Sequence, residues 1–84
     1  MAERMFAEDS FQDLKTVGEV KQAVVYLAHN ESQFRSELIA EELDYDAIQA
    51  EVKKVWLGLL EACKRVKFSN YTVRFKATQY KFNI

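Results

Sequence analysis

Apolar residues recur along the first half of the chain with the 3.6-residue period of an amphipathic helix. Thr16 and Glu19 have the spacing of a capping box, and the apolar positions after them predict a first helix over residues 17–29. Polar residues 30–32 interrupt this pattern and offer two candidate N-caps, so we expect the first helix to end there. A weaker apolar stripe then predicts a second, shorter helix over residues 33–43.

The longest helical pattern lies between residues 46 and 67. Asp46 and Gln49 form the next cap-and-N3 pair, which predicts that a third helix begins near Ala47. Apolar residues then stay on one helix face for roughly 20 residues, or about 30 Å. They are Ile48, Val52, Val55, Leu59, Cys63 and Val66. We expect this face to form the centre of the core.

The period changes from 3.6 to 2 after Lys67. Apolar and polar residues alternate over residues 71–75 and 80–84, which is typical of half-buried strands. A two-residue turn at Ala77 and Thr78 would pair the strands with six apolar side chains on one face, and a looser loop over residues 76–79 is the alternative. In the tight register, Arg74 lies opposite Lys81, a like-charge pair that costs stability.

These elements predict a helix-rich α+β fold with three main helices followed by a C-terminal β-hairpin. Their order over residues 17–84 is similar to that of a winged helix, with the hairpin over residues 68–84 in the wing position. Residues 1–9 lack periodicity and are expected to form a disordered arm, unless Met5 and Phe6 tether it as an apolar hook. With 84 residues, two Gly and no Pro, the chain is expected to form a single small domain.

The composition excludes several kinds of site. The chain is 49% hydrophobic and 30% charged, and its longest apolar run is far shorter than the ~20 residues that a bilayer span requires. One Cys cannot form an internal disulfide, and one Cys with one His cannot supply the four ligands of a structural zinc site. We therefore expect a cytoplasmic protein with no membrane contact, no cofactor, no bound metal and no small-molecule substrate.

Acidic and basic residues are segregated along the chain. Residues 1–52 contain twelve acids and four bases, a net charge of −8, whereas residues 53–84 contain eight bases and one acid, a net charge of +7. Acids near helix starts and bases near helix ends stabilise helices, so one interpretation is that the two halves pack on each other. The alternative is a charged surface that meets a partner.

Few residues are candidates for catalysis. Cys63 lies on the apolar face of the third predicted helix, where a thiol acts as a small hydrophobe. His29 ends the first predicted helix, where an imidazole suits the terminal carbonyls. Acidic pairs occur at positions 37 and 41, 41 and 42, and 44 and 46, but no phosphate-binding or calcium-binding spacing accompanies them. We expect no catalytic residues and no enzyme activity.

An apolar arc on the third predicted helix indicates a partner interface. Leu57 lies nearly opposite the main apolar face, and Trp56 and Leu60 extend that face towards it. The arc is wider than one small core covers, so Trp56, Leu57 and Leu60 are expected to be exposed and to bind a second copy or another protein. The expected function is a small non-catalytic protein-interaction or regulatory protein that forms a homodimer.

Nucleic-acid binding is the alternative function. In a winged helix the start of the third helix would enter a DNA groove, but here it carries Asp44, Asp46 and Glu51, which phosphates repel. The remaining basic surface could grip a phosphate backbone without reading its sequence. It comprises Lys64, Arg65, Lys67, Arg74, Lys76 and Lys81. Such binding would weaken steeply with salt, whereas a hydrophobic interface would tolerate salt.

Overall fold

Residues 4–82 fold into three helices packed around one core. A computed structural model describes residues 4–82, with α1 at Val17–Ala40, α2 at Tyr45–Arg65 and α3 at Tyr71–Gln79. Helix α2 packs against both α1 and α3. Residues 4–82 contain no strand, so the predicted α+β fold with a C-terminal hairpin in winged-helix order is wrong, and this part of the chain is all-helical. None of the three helices has the length and apolar character needed to span a membrane.

Helix α1 is one continuous helix where two were predicted. Its start confirms the capping box, because Glu19 N donates to Thr16 Oγ1 (3.1 Å) and Thr16 N donates to Glu19 Oε1 (3.1 Å). Polar residues 30–32 do not end the helix, which continues to Ala40. Within it, Asn30 Nδ2 donates a hydrogen bond to Tyr26 O one turn earlier (2.8 Å). Phe34 is buried beyond them, so packing of the later turns outweighs the local capping signal.

Helix α2 begins two residues before the predicted start. Asp44 is its N-cap, and Asp44 Oδ1 accepts a hydrogen bond from Ala47 N (2.8 Å). Asp46, the predicted cap, lies in the first turn, where its charge favours the helix dipole. The predicted apolar face is confirmed as buried from Ile48 to Cys63.

The apolar arc on α2 is largely covered within the single chain. Trp56 is 0% exposed and Leu60 is 4% exposed, so the predicted exposure of these two residues is wrong. Leu57 is partly buried and packs against the core. The arc is wide because α2 contacts a helix at residues 71–79, where a thin hairpin was expected.

Helix α3 replaces the first predicted strand and the predicted turn. Asn70 caps it, because Asn70 Oδ1 accepts a hydrogen bond from Val73 N (3.1 Å). Val73, Ala77 and Tyr80 are spaced by four and three residues and are all buried. Phe75, which the strand pattern placed on the same face, is 56% exposed. A helical stripe therefore determines the packing of this segment.

The predicted hairpin register disappears with the strands. Arg74 lies within α3 and Lys81 follows its end, so they are not opposed across two strands. The segment lacks the Asn, Asp or Gly residues that a tight hairpin turn requires, which favours the helix. Ile84, the last residue of the predicted second strand, lies outside the described residues.

All three helices end in the same way. The backbone has positive φ at Glu42 (66°), Lys67 (57°) and Lys81 (60°), one residue after each C-cap. An apolar residue follows each time, and its N–H bonds to the carbonyl five residues earlier. The pairs are Leu43 to Leu38 (3.4 Å), Phe68 to Cys63 (2.9 Å) and Phe82 to Ala77 (3.0 Å). These are Schellman motifs in which a charged residue takes the left-handed position that usually holds Gly, at a cost of about 1 kcal/mol.

Residues 4–16 form an N-terminal segment that lies against α2. Phe6 is buried and Met5 packs against the core, as the hook interpretation predicts. Phe11 is also buried, and its carbonyl accepts a hydrogen bond from Arg65 Nη2 (3.0 Å). The segment passes so close to α2 that a Cβ at Gly58 would lie 2.8 Å from Glu8 O.

This close approach predicts that Gly58→Ala lowers the free energy of unfolding by about 1–2 kcal/mol, because a backbone atom must move to admit the methyl group. In an isolated helix the same change would stabilise by about 1 kcal/mol. Gly18→Ala is the matched control, since a Cβ there meets nothing closer than 3.9 Å. Urea unfolding followed by circular dichroism measures both. A Gly58→Ala protein at least as stable as Gly18→Ala would contradict this packing.

Candidate functional site

A groove between the end of α2 and the start of α3 is the candidate functional site, and we call it the α2–α3 groove. It has a volume of about 500 Å³. Its lining residues are Leu60, Cys63, Lys64, Lys67, Phe68, Ser69, Asn70, Val73 and Arg74. They come from the last turns of α2, the connecting loop and the first turns of α3.

The helix ends determine where the groove lies. The left-handed backbone at Lys67 stops α2 and turns Phe68 back, so that the Phe68 ring packs against the core. Asn70 then starts α3 after a short loop. The two helices therefore diverge from this loop, and the groove opens between them.

The α2–α3 groove has an apolar floor and a cationic rim. Leu60, Cys63, Phe68 and Val73 form the floor. All but Phe68 are less than 5% exposed, so the partly buried Phe68 is the floor residue that a ligand can reach. The rim carries three exposed bases: Lys64, Lys67 and Arg74. Lys64 Nζ lies 4.0 Å from Glu61 Oε1, a weak surface pair. Lys67 and Arg74 form no ion pair with any residue between positions 4 and 82.

The structure divides the six predicted anion-contact residues into two groups. Three of them, Lys64, Lys67 and Arg74, line the groove. Arg65 is instead occupied by the N-terminal segment, and Lys76 forms an internal ion pair. Lys81 follows α3 and does not line the groove. The charge distribution along the sequence indicated the basic C-terminal region. It could not show which bases form internal contacts and which face solvent.

A polar cluster around Glu31 joins the three helices beside the core. Its carboxylate accepts hydrogen bonds from Trp56 Nε1 (2.7 Å), Lys76 Nζ (2.8 Å) and Tyr80 Oη (3.1 Å). Arg35 donates to Tyr80 Oη in turn. The Lys76 ammonium also lies 5.4 Å from the centroid of the Trp56 ring, a cation–π contact. This cluster fixes α3 on α1 and α2, and thereby fixes one wall of the groove.

The cluster shifts the pKa values of two of its groups, the Glu31 carboxyl and the Tyr80 phenol. Burial raises the pKa of Glu31, but hydrogen bonds from Lys76 and Trp56 lower it by more, so that the pKa lies below its ordinary value. Burial and the nearby Glu31 carboxylate raise the pKa of Tyr80 to about 12. The stable charge arrangement is therefore a carboxylate, an ammonium and a neutral phenol.

The candidate catalytic groups take structural positions. Cys63 is buried, as predicted, and burial raises the pKa of its thiol, which opposes formation of a nucleophilic thiolate. His29 is exposed within α1, which continues to Ala40, so the prediction that it ends the first helix is wrong. Of the acidic pairs, Glu41 binds Arg4 (2.8 Å) and Asp44 caps α2. Between residues 4 and 82, no three His, Cys, Asp or Glu side chains are grouped in a way that could hold a metal ion.

A second groove, of about 390 Å³, runs between the N-terminal segment and α2. Its lining mixes Glu8, Asp9 and Glu61 with Lys54 and Arg65. Opposite charges offset one another there, and Arg65 already bonds to the segment's carbonyls. This groove therefore has no single sign of charge that a ligand could complement, unlike the α2–α3 groove.

Sequence reasoning missed the residues that give the groove its shape. Phe68 and Val73 were assigned to the hairpin, and Asn70 was not recognised as a cap. A signal for the helix was available, because Asn70 precedes a stripe of Val73, Ala77 and Tyr80 at helical spacing. Comparisons with protein-family models, with curated proteins and with solved structures found no match to this chain.

Proposed function

We propose that this protein is a small non-catalytic interaction domain whose α2–α3 groove binds an acidic, amphipathic segment of a partner protein. The observation that carries the proposal is the combination of an apolar floor, open to a ligand at Phe68, with three bases on the rim. A ligand that complements it needs apolar side chains for the floor and carboxylates for the bases. A short polypeptide segment supplies both.

A polypeptide suits this groove better than a nucleic acid does. A phosphate backbone would satisfy the three bases but would leave the partly exposed Phe68 without an apolar partner. Single strands bind by stacking successive bases on aromatic rings. The groove lining contains one such ring, Phe68, and the exposed rings of Tyr71 and Phe75 do not line the groove. The net charge of −1 also gives long-range attraction to phosphate little support.

The backbone at Lys67 supplies a further argument. A left-handed position is more stable with Gly than with any side chain. Lys67 occupies that position, and its cation stands on the rim of the groove. Lys81 is a charged residue at the same kind of position outside the groove, so it is the place of Lys67 on the rim that relates Lys67 to binding.

The binding experiment uses a fluorescent synthetic peptide of about 12 residues, or roughly three helical turns, with leucines on one face and glutamates on the other. Fluorescence anisotropy should show micromolar binding to the wild-type protein, lost in Lys64→Glu/Lys67→Glu/Arg74→Glu. A peptide with serines in place of the leucines should bind at least about tenfold more weakly. Preference for a single-stranded oligothymidylate over the peptide, or equal binding of the leucine and serine peptides, would reject the proposal.

The two left-handed lysines provide a matched pair of variants. Lys67→Gly and Lys81→Gly should each raise the free energy of unfolding by about 0.5–1 kcal/mol, because both relieve the same backbone cost. Lys67→Gly alone should weaken peptide binding, by about two- to fivefold for one exposed ion pair. Chemical denaturation and peptide titration measure the two effects separately. Equal peptide affinities in the two variants would contradict the role given to Lys67.

A further inference from the structure

We infer that the acidic partner of the α2–α3 groove is the opposite end of a second copy of this chain, an inference that rests on the proposed function. The complementary surface is the connection between α1 and α2, which we call the acidic corner. It consists of Ile39, Glu42, Tyr45 and Asp46. In the resulting dimer, each groove receives the corner of the other copy.

The acidic corner has the chemistry that the groove requires. Ile39 is 62% exposed and Tyr45 is 71% exposed, so the corner presents two large side chains with apolar surface to solvent. Glu42 and Asp46 are exposed beside them and form no ion pair with any residue at positions 4–82. Two apolar groups and two carboxylates thus match the apolar floor and the bases of the groove.

The chain cannot bring its own corner to its own groove. The two surfaces lie at opposite ends of α2, a helix of 21 residues that is about 31 Å long at 1.5 Å per residue. The longest dimension of the described molecule is 37 Å, so the corner and the groove are nearly as far apart as the fold permits. A corner that fills this groove must therefore belong to another molecule.

Helical geometry allows both contacts in one closed dimer. Asp46 and Lys64 are 18 residues apart, which is five turns of helix, so they lie on the same flank of α2. Leu57 lies between them on that flank and is partly buried. Two α2 helices placed antiparallel about a two-fold axis near Leu57 would set each Asp46 beside the bases of the other copy.

Each of the two surfaces contains a charged residue at a left-handed position, as Lys81 does outside both surfaces. Glu42 ends α1 at the corner and Lys67 ends α2 at the groove, both with positive φ. Each position would be more stable with Gly. Both instead present a charge to solvent, negative at the corner and positive at the groove.

A charge-swap experiment tests the dimer. Wild-type protein at about 100 µM and low salt is expected to show twice the monomer mass by light scattering, and to dissociate as salt rises. The groove variant Lys64→Glu/Lys67→Glu and the corner variant Glu42→Lys/Asp46→Lys should each be monomeric. An equimolar mixture of the two should restore the dimer mass, because every corner then meets a groove of opposite charge.

The control separates local contact from overall charge. Lys15→Glu/Lys81→Glu has the same net charge as the groove variant but leaves both surfaces intact, so it should dimerise as the wild type does and should not exchange with the corner variant. Circular dichroism checks that each protein is folded, and Glu42→Lys alone replaces the corner variant if Asp46→Lys unfolds α2. A control that behaves like the groove variant would overturn the inference.

The outcomes also separate this inference from the proposed function. A wild-type chain that stays monomeric at every concentration, or that grows beyond a dimer, overturns the closed two-fold pairing. If that monomer still binds the acidic peptide at the groove, the proposed function stands with a different partner. If it binds neither the peptide nor itself, both proposals fail.

Discussion

Trp56→Ala is expected to lower the free energy of unfolding by about 3–5 kcal/mol, which approaches the whole stability of a domain this small. The side chain is 0% exposed and is among the largest in the core. Its loss leaves a cavity where α1, α2 and α3 meet, and it also removes the indole N–H that donates to Glu31 (2.7 Å). Urea unfolding followed by circular dichroism measures the change.

Leu57→Ala on the neighbouring residue is the control for Trp56→Ala. Because Leu57 is only partly buried, its truncation should cost about 1 kcal/mol. If the Trp56→Ala protein were as stable as the wild type to within about 0.5 kcal/mol, Trp56 would have to be a surface residue, as the sequence pattern alone predicted. That result would contradict the three-helix packing.

Glu31→Gln is expected to lower the free energy of unfolding at neutral pH by about 1–3 kcal/mol. The change leaves the Lys76 ammonium, whose side chain is 15% exposed, without its anionic partner at 2.8 Å. The amide oxygen can still accept hydrogen bonds from Trp56 and Tyr80, so the variant should fold. The cost comes from an unpaired, partly buried charge.

The effect of Glu31→Gln should depend on pH in a defined direction. The pKa of Glu31 lies below its ordinary value of 4.5 in the folded protein. A carboxyl with a depressed pKa contributes its full stabilisation above the unfolded value, and this contribution is lost as the pH falls through the folded value. The difference in stability between wild type and variant should therefore be constant near neutral pH and shrink below about pH 4.5.

Other carboxylates with lowered pKa values do not affect this comparison of wild type with Glu31→Gln. Hydrogen bonds from the Lys15 backbone and from Arg4 lower the pKa values of Glu19 and Glu41 respectively, but both residues are present in both proteins. Glu61→Gln is the control, since its weak exposed pair should contribute less than about 0.5 kcal/mol. A stability difference that does not shrink in acid would show that Glu31 is not stabilised as a carboxylate by its neighbours.

The helical half of the fold could be predicted where sequence signals and packing agree. The capping box at Thr16 and the buried face of α2 follow from spacing alone, because side chains three and four residues apart must share a helix face. The break predicted at residues 30–32 is wrong because burial of Phe34 and Leu38 extends α1 through a polar stretch. Local capping signals predict where a helix can end, whereas tertiary packing determines where it does end.

The segment at residues 71–79 was misassigned for a different physical reason. Tyr71, Val73 and Phe75 alternate with polar residues, and a pattern of this length fits both a strand and a short helix. The choice depends on what the segment packs against. Val73 is buried, and Lys76 pairs with Glu31, 45 positions away, a contact that no local pattern reveals.

The helix ends could not be predicted from the sequence, because charged residues occupy the left-handed positions where Gly is the usual signal. Lys67 and Glu42 therefore read as ordinary surface charges in the sequence. Lys67 places its charge at the groove, and Glu42 places its charge at the acidic corner. The positive charge of the α2–α3 groove could be predicted from the basic C-terminal region of the sequence. Its shape could not, because the shape depends on the position of α3.

Backbone and side-chain NMR of the isotopically labelled protein, titrated with the leucine and glutamate peptide, tests the central claim most directly. The account predicts helical Cα shifts over Tyr71–Gln79 and peptide-induced shift changes concentrated at Lys64, Lys67 and Arg74. Extended Cα shifts in this segment, or changes that cluster on the outer face of α1 around Val25, would contradict it.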